Sequence, residues 1–182
     1  MQIYRAAASL LVTVFALGAI AFAQVESTPI PRAKVDFSKM AFLTGTWTCS
    51  VMSSRRPGPY TTTNVASMAT DGNWLITKTT VHKASWIPAS FTGEDRMTWD
   101  ASTSRWVDIA TDDTGGYNVT TSPGWNGNTI VWTDQFYPKS NNTATNNPTT
   151  MTKVSATKTV STSSFTEPGG RLVHVKTTCT KG

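Results

Sequence analysis

The chain has 182 residues, which suits one domain and leaves no room for two of full size. Its hydrophobic fraction of 38% and aromatic fraction of 10% allow a packed core and exclude a disordered chain. The charged fraction of 15% argues against coiled coils and long solvated helices, and a scattered net charge of +5 argues against nucleic acid as a partner.

The first 23 residues have the pattern of a secretion signal. Arg5 precedes a mostly apolar run from Ala6 to Ala23, which ends in the Ala-Phe-Ala pattern that signal peptidase cleaves. The alternative is an uncleaved anchor, because a run of this length is just long enough to span a membrane. We expect cleavage, export from a bacterial cell to the periplasm or the medium, and no stable membrane insertion afterwards.

Residues 24–41 form an N-terminal extension, and residues 42–182 form a single domain. Near the end of the extension, Ser38 to Phe42 is expected to make a short helical turn that caps one end of this domain.

From Phe42 onward, short runs rich in Thr, Val and Trp alternate with tight-turn pairs such as Asp71-Gly72 and Gly169-Gly170. Such runs predict strands, and without a long helical pattern they indicate an all-β up-and-down barrel or a sandwich. Pro138 to Pro148 is the one long polar loop. The predicted strands are Phe42–Val51, Tyr60–Thr70, Asn73–His82, Ser90–Trp99, Arg105–Asp112, Gly116–Thr121, Asn128–Tyr137, Thr150–Val160, Thr162–Glu167 and Arg171–Thr180.

Cys49 and Cys179 are the only cysteines, and in an exported protein a disulfide between them is the default. A reactive thiol is the alternative, whereas a metal site would need His or carboxylate partners that neither cysteine has nearby. By alternation, both cysteines lie on the apolar faces of their strands. A bridge would therefore bring the first and last strands together and favour a closed antiparallel barrel of about ten strands.

The segment from Phe42 to Trp47 carries a Gly-x-Trp motif that resembles the opening of lipocalin-like, or calycin, barrels. Further landmarks, over about Phe42 to Thr180, resemble a family of uncharacterised exported bacterial proteins, domain of unknown function 1579 (DUF1579). This resemblance implies a barrel with a lumen and carries over no catalytic residues. The landmarks are Asp71-Gly72, Trp99-Asp100, Arg105-Trp106 and Asp112 to Gly116.

The hairpin around residues 101–104 predicts which side chains face the lumen. A four-residue loop pairs Trp99 with Trp106, so that these indoles share a face with Asp95 and Asp108. The opposite face is more charged, and we therefore expect the Trp-rich face inside. In the later strand from Asn128 to Tyr137, alternation places Ile130, Trp132, Asp134 and Phe136 on one face in the same way. A slip of one residue would move every one of these aspartates outside.

These residues indicate a binding site for a small apolar or amphipathic molecule. Trp99, Trp106 and Trp132 would supply stacking walls, while Asp95, Asp108 or Asp134 would orient a polar or cationic group. One alternative is an enzyme that uses an Asp pair as acid and base in the same lumen. The other is a filled barrel with a structural role in the cell envelope.

No cofactor or metal is predicted. His174 invites a haem interpretation, because some calycin barrels bind haem through a histidine near the C-terminus. Alternation, however, places His174 opposite Cys179 and therefore outside. His82, at a strand end, is expected to be an ordinary surface residue.

Overall fold

A computed structural model of the protein describes residues 34–136, 145–146 and 148–182, with residues 134–136 and 145–146 described by their backbone alone. The predicted secretion signal at 1–23 and most of the predicted polar loop at 138–148 lie outside these ranges. Within them, no helix is long and apolar enough to cross a membrane.

The described residues form an all-β fold preceded by a single turn of 3-10 helix at Ala41–Leu43. The strands are β1 (Gly45–Ser53), β2 (Tyr60–Met68), β3 (Leu75–Val81), β4 (Phe91–Asp100), β5 (Arg105–Asp112), β6 (Tyr117–Ser122), β7 (Trp125–Asn126), β8 (Thr129–Phe136), β9 (Thr145–Asn146), β10 (Thr149–Ser155), β11 (Lys158–Thr166) and β12 (Leu172–Lys181).

Ten of these strands close into an antiparallel up-and-down barrel, as the sequence predicts. Each long strand pairs with the next along the chain, β8 joins β6 to β10, and β12 pairs with both β11 and β1. The two-residue strands β7 and β9 lie beside the barrel, paired with β8 and β11. Closure leaves no free edge along the long strands of the described sheet.

A disulfide ties the closing pair of strands together. Cys49 on β1 lies directly opposite Cys179 on β12, and the two residues are bonded with a Cα–Cα distance of 4.0 Å. The predicted apolar face of β1 is also confirmed, because Trp47, Cys49 and Val51 are all buried.

The described residues before β1, 34–44, are called the N-terminal segment, and they close one end of the barrel. Phe37 and the fully buried Met40 pack in the main apolar cluster with Trp106, Ile130 and Trp132. The expected helical turn is present, and it occupies part of the predicted first strand, so β1 begins at Gly45 rather than at Phe42.

The bounds of two predicted strands, Thr150–Val160 and Thr162–Glu167, were wrong, because β11 runs without a break from Lys158 to Thr166. The run Thr150–Val160 contains a turn at residues 156–157, so that β10 ends at Ser155 and β11 begins at Lys158. This turn has no Gly, Pro or Asn to mark it. Instead, the Ser155 hydroxyl oxygen accepts a hydrogen bond from the Thr157 N–H at 3.2 Å, a side-chain substitute for a backbone turn contact.

Candidate functional site

A four-residue turn fixes the register of the β4–β5 hairpin. The Asp100 carboxylate accepts hydrogen bonds from the Ser102 N–H at 2.9 Å, the Ser102 hydroxyl at 2.7 Å and the Thr103 hydroxyl at 2.8 Å. Ser104 completes the turn in the left-handed region, with a φ of 52°. Small polar residues that bond to the local backbone favour this kind of turn.

This register places two aspartates on the lumen side of adjacent strands. The observed register is the register that the sequence predicts. It makes Asp95 and Asp108 diagonal neighbours on one face of the sheet. The pairs are Asp100–Arg105, Trp99–Trp106, Met97–Asp108 and Asp95–Ala110.

Both aspartates line a cavity of about 330 Å³ inside the barrel. Part of its wall is apolar, and the remainder consists mainly of short polar side chains. The apolar part comprises Leu43, Trp47, Ala66, Met97, Trp132, Met151 and the disulfide at Cys179. The uncharged polar part comprises Asn64, Thr77, Thr120, Thr149, Thr159, Ser161 and Thr177.

The three tryptophans predicted as stacking walls take different places. Trp132 lines the cavity, and Trp47, which was not among the three, lines it as well. Trp99 and Trp106 instead pack edge to face with ring centroids 5.6 Å apart, and Phe37 lies 5.3 Å from Trp106. They belong to the main apolar cluster, at the end that the N-terminal segment closes, and neither of them lines the cavity.

The environment of the two aspartates disfavours their charged forms. Burial raises the pKa of Asp95 to about 6, and the negative charge of Glu94 adds to this effect. Burial likewise raises the pKa of Asp108 to about 7, with a further contribution from Asp95. Near neutral pH the pair therefore retains protons that exposed carboxyls would have lost.

Hydroxyl groups lie directly across the strands from both carboxyls. Thr77 on β3 pairs with Asp95, and Thr120 on β6 pairs with Asp108. Sequence reasoning missed these residues, because it assigned the Trp-rich faces to the lumen and left the many threonines unassigned. Counting alternation from Asp95 across neighbouring strands would have found them.

The third predicted aspartate, Asp134, lies outside the residues whose side chains the structure describes. Its backbone pairs with Thr120 on β6.

Asp95 also borders a second cavity, of about 290 Å³, between β3 and β6. Its wall includes Phe91, Gly93 and Tyr117.

Neither histidine lies in the cavity. His174 is exposed on β12, on the outer face that alternation predicts, and the Nε2 atom of His82 lies 2.8 Å from the Thr63 hydroxyl. Among the described residues, no group of three or more His, Cys, Asp or Glu side chains could hold a metal ion.

Comparisons with known proteins give little further guidance. No protein-family model and no curated protein matches the chain. One similar solved structure is a protein of unknown function from the DUF3598 family of Nostoc punctiforme, with 13% identity and a TM-score of 0.40. The match covers 86% of this chain and 53% of that one, so this chain spans about half the length of its neighbour. So distant a likeness supports no conclusion about function.

Proposed function

We propose that the protein is exported and binds a small, largely apolar molecule in the lumen of its barrel. The observation that carries this proposal is the internal cavity of about 330 Å³ between Trp47, Trp132 and the Asp95–Asp108 pair. This volume lies at the lower end of the range for small-molecule sites, and an apolar wall with a few polar groups is typical of them.

In this proposal different residues of the cavity wall contact different parts of the ligand. Trp47 and Trp132 contact the apolar body of the ligand, together with Met97 and Met151. Asp95, Asp108 or Asp134 orients its polar group. Trp99 and Trp106 act indirectly, by packing in the main apolar cluster with the N-terminal segment.

Two features support export. The apolar run before residue 24 resembles a cleaved signal, and the Cys49–Cys179 disulfide suits an oxidising compartment. The relationship to the DUF1579 family stays a prediction, since no family model matches the chain.

A titration with the neutral apolar dye N-phenyl-1-naphthylamine tests lumen binding. Its fluorescence rises in an apolar site, and we expect a saturable rise with the purified protein. Ser161→Phe fills the cavity from β11 and should abolish the rise, whereas Ser161→Ala removes only the hydroxyl and should preserve it. Equal dye binding by both variants, or none by the unaltered protein, would contradict the proposal and favour the filled barrel.

Acid–base catalysis is the second candidate, because the pKa values of Asp95 and Asp108 are both raised toward neutrality. If the protein is an enzyme, a molecule that copurifies with the Asp95→Asn, Asp108→Asn double variant should be converted on addition of the unaltered protein. Liquid chromatography with mass spectrometry would detect the product as a change in mass or in retention time, and no change in either would leave binding as the function.

A further inference from the structure

The cavity contains two acidic groups without a matching cation. Asp95 and Asp108 are the only charged side chains among the described residues that line it. The ion pairs found in the described chain join Arg55, Arg96 and Arg171 to surface glutamates and involve neither aspartate. Lys181 is engaged at the closed end, where its Nζ atom donates a hydrogen bond to the Phe42 carbonyl oxygen at 3.2 Å.

Asp108 also has an unmet hydrogen-bonding requirement. Its Oδ1 atom is shut off from solvent, and no donor in the described residues reaches it. A buried acceptor without a donor is unfavourable, so the site is better satisfied when a ligand brings a donor or a positive charge.

The groups around the aspartates favour one kind of donor. Thr77 and Thr120 pair across the strands with Asp95 and Asp108 and line the same cavity, and each hydroxyl oxygen can accept a hydrogen bond as well as donate one. A primary ammonium group has three donors and no acceptor, which fits such a set. An alcohol offers one donor, and a carboxylate would be repelled by the aspartates.

We infer that the lumen takes a primary amine with a short apolar or aromatic body, whose ammonium group bridges Asp95 and Asp108. This inference rests on the proposed function and names the class of its ligand. The body lies against the indoles of Trp47 and Trp132, which also line the cavity. The ammonium supplies the charge and the donors that the protein itself does not place there.

Three matched probes test the inference by isothermal titration calorimetry at pH 8: phenethylamine, phenethyl alcohol and 3-phenylpropionate. They share a phenyl ring and a short linker and differ in the charge of the terminal group. We expect phenethylamine to bind at least about tenfold more tightly than the alcohol, because charge-assisted hydrogen bonds are roughly twice as strong as neutral ones. We expect no measurable binding of 3-phenylpropionate.

Two double variants show whether these aspartates cause the preference. Asp95→Asn with Asp108→Asn keeps the size of both side chains, so it should remove the preference for the amine and retain binding of the alcohol. Asp71→Asn with Asp100→Asn removes two carboxylates at turns outside the cavity, where each Asn oxygen can still accept the local backbone N–H. This control should keep the preference.

The possible failures are distinguishable. If the dye binds but the unaltered protein does not prefer the amine to the alcohol, the ammonium inference is wrong and the lumen proposal stands. A preference that survives in the Asp95→Asn, Asp108→Asn variant would also overturn the inference. If the dye does not bind to the unaltered protein, lumen binding itself is contradicted, and the ammonium inference is contradicted with it.

Discussion

Asp95 and Asp108 are the residues that most clearly separate a binding site from an ordinary core. A packing role would be filled better by apolar side chains, since two half-buried carboxyls with raised pKa values reduce the stability of the folded state near neutral pH. Their presence in a cavity therefore suits a function that uses their charge.

The two aspartates should make the protein less stable as pH rises. Their pKa values in the folded protein exceed the value of 3.8 for an unperturbed aspartate, so the folded state holds more protons between about pH 4 and 7. The free energy of unfolding should therefore fall as pH rises through this window. The Asp95→Asn, Asp108→Asn double variant should lose less free energy of unfolding over this window, by at least about 1.4 kcal/mol, the equivalent of one pKa unit.

Urea denaturation at pH 5 and pH 8 measures this difference. Asp100→Asn is a suitable control, because hydrogen bonds from Ser102 and Thr103 lower the pKa of Asp100 and place its titration below the window. An equal pH dependence in the unaltered protein and the Asp95→Asn, Asp108→Asn variant would show that the two carboxyls titrate normally.

For individual residues, the sequence predicts part of the candidate site. The register of the β4–β5 hairpin follows from its turn length, so the inward direction of Asp95 and Asp108 could be inferred from local pattern alone. The inward direction of Trp47 follows from alternation with Cys49, but the places of Thr77 and Thr120 could not be inferred, because they depend on how neighbouring strands align around the barrel. The packing of Trp99 and Trp106 depends on Phe37, which comes from a segment outside the barrel.

Among the elements, the N-terminal segment covers one end of the barrel. Met40 is fully buried, and its sulfur lies 3.1 Å from the Nε1 atom of Trp125. The Nε1 atom of Trp47 donates a hydrogen bond to the Leu43 carbonyl oxygen at 2.7 Å. These contacts tie the segment to both sides of the closed end.

Met40→Ala should destabilise the protein by about 2–5 kcal/mol, because it leaves a cavity among the buried side chains. Lys39→Ala, at the exposed neighbouring position, should cost less than about 0.5 kcal/mol. Chemical denaturation of both variants measures the difference. Equal stabilities would mean that the segment does not close the barrel in solution.

The disulfide stabilises the pairing of β1 with β12. Replacing Cys49 and Cys179 by serine should cost about 2–5 kcal/mol, because the bond closes a loop with a sequence separation of 130. The free energy of unfolding in urea, compared with that of the unaltered protein in its oxidised form, measures this loss. An unchanged value would show that strand pairing alone closes the barrel.

Elements with explicit turn signals were predicted well, and those without were not. The pairs Asp71-Gly72 and Gly169-Gly170 both mark real turns. The turn at residues 156–157 depends on the Ser155 hydroxyl, and serine is too common in this chain to mark a turn by itself. The 3-10 turn before β1 contains Phe42 and Leu43, whose apolar character also fits a strand.

At the scale of the whole molecule, closure creates the lumen. The predicted disulfide between the first and last strands is what distinguishes a barrel from a sandwich in the sequence, and the structure confirms it. The volume of the lumen could not be predicted, because it depends on how far the side chains of all ten strands fill the interior. A cavity remains where threonines and serines face inward instead of larger residues.

Native mass spectrometry of the purified protein with its disulfide intact tests lumen binding most directly. We predict a reproducible additional mass, of a small molecule that carries an amine, on the unaltered protein and on Ser161→Ala but not on Ser161→Phe. A bare mass for all three proteins, together with no dye binding by the unaltered protein, would contradict a binding function. A structural role in the cell envelope, without a ligand in the lumen, would then be favoured.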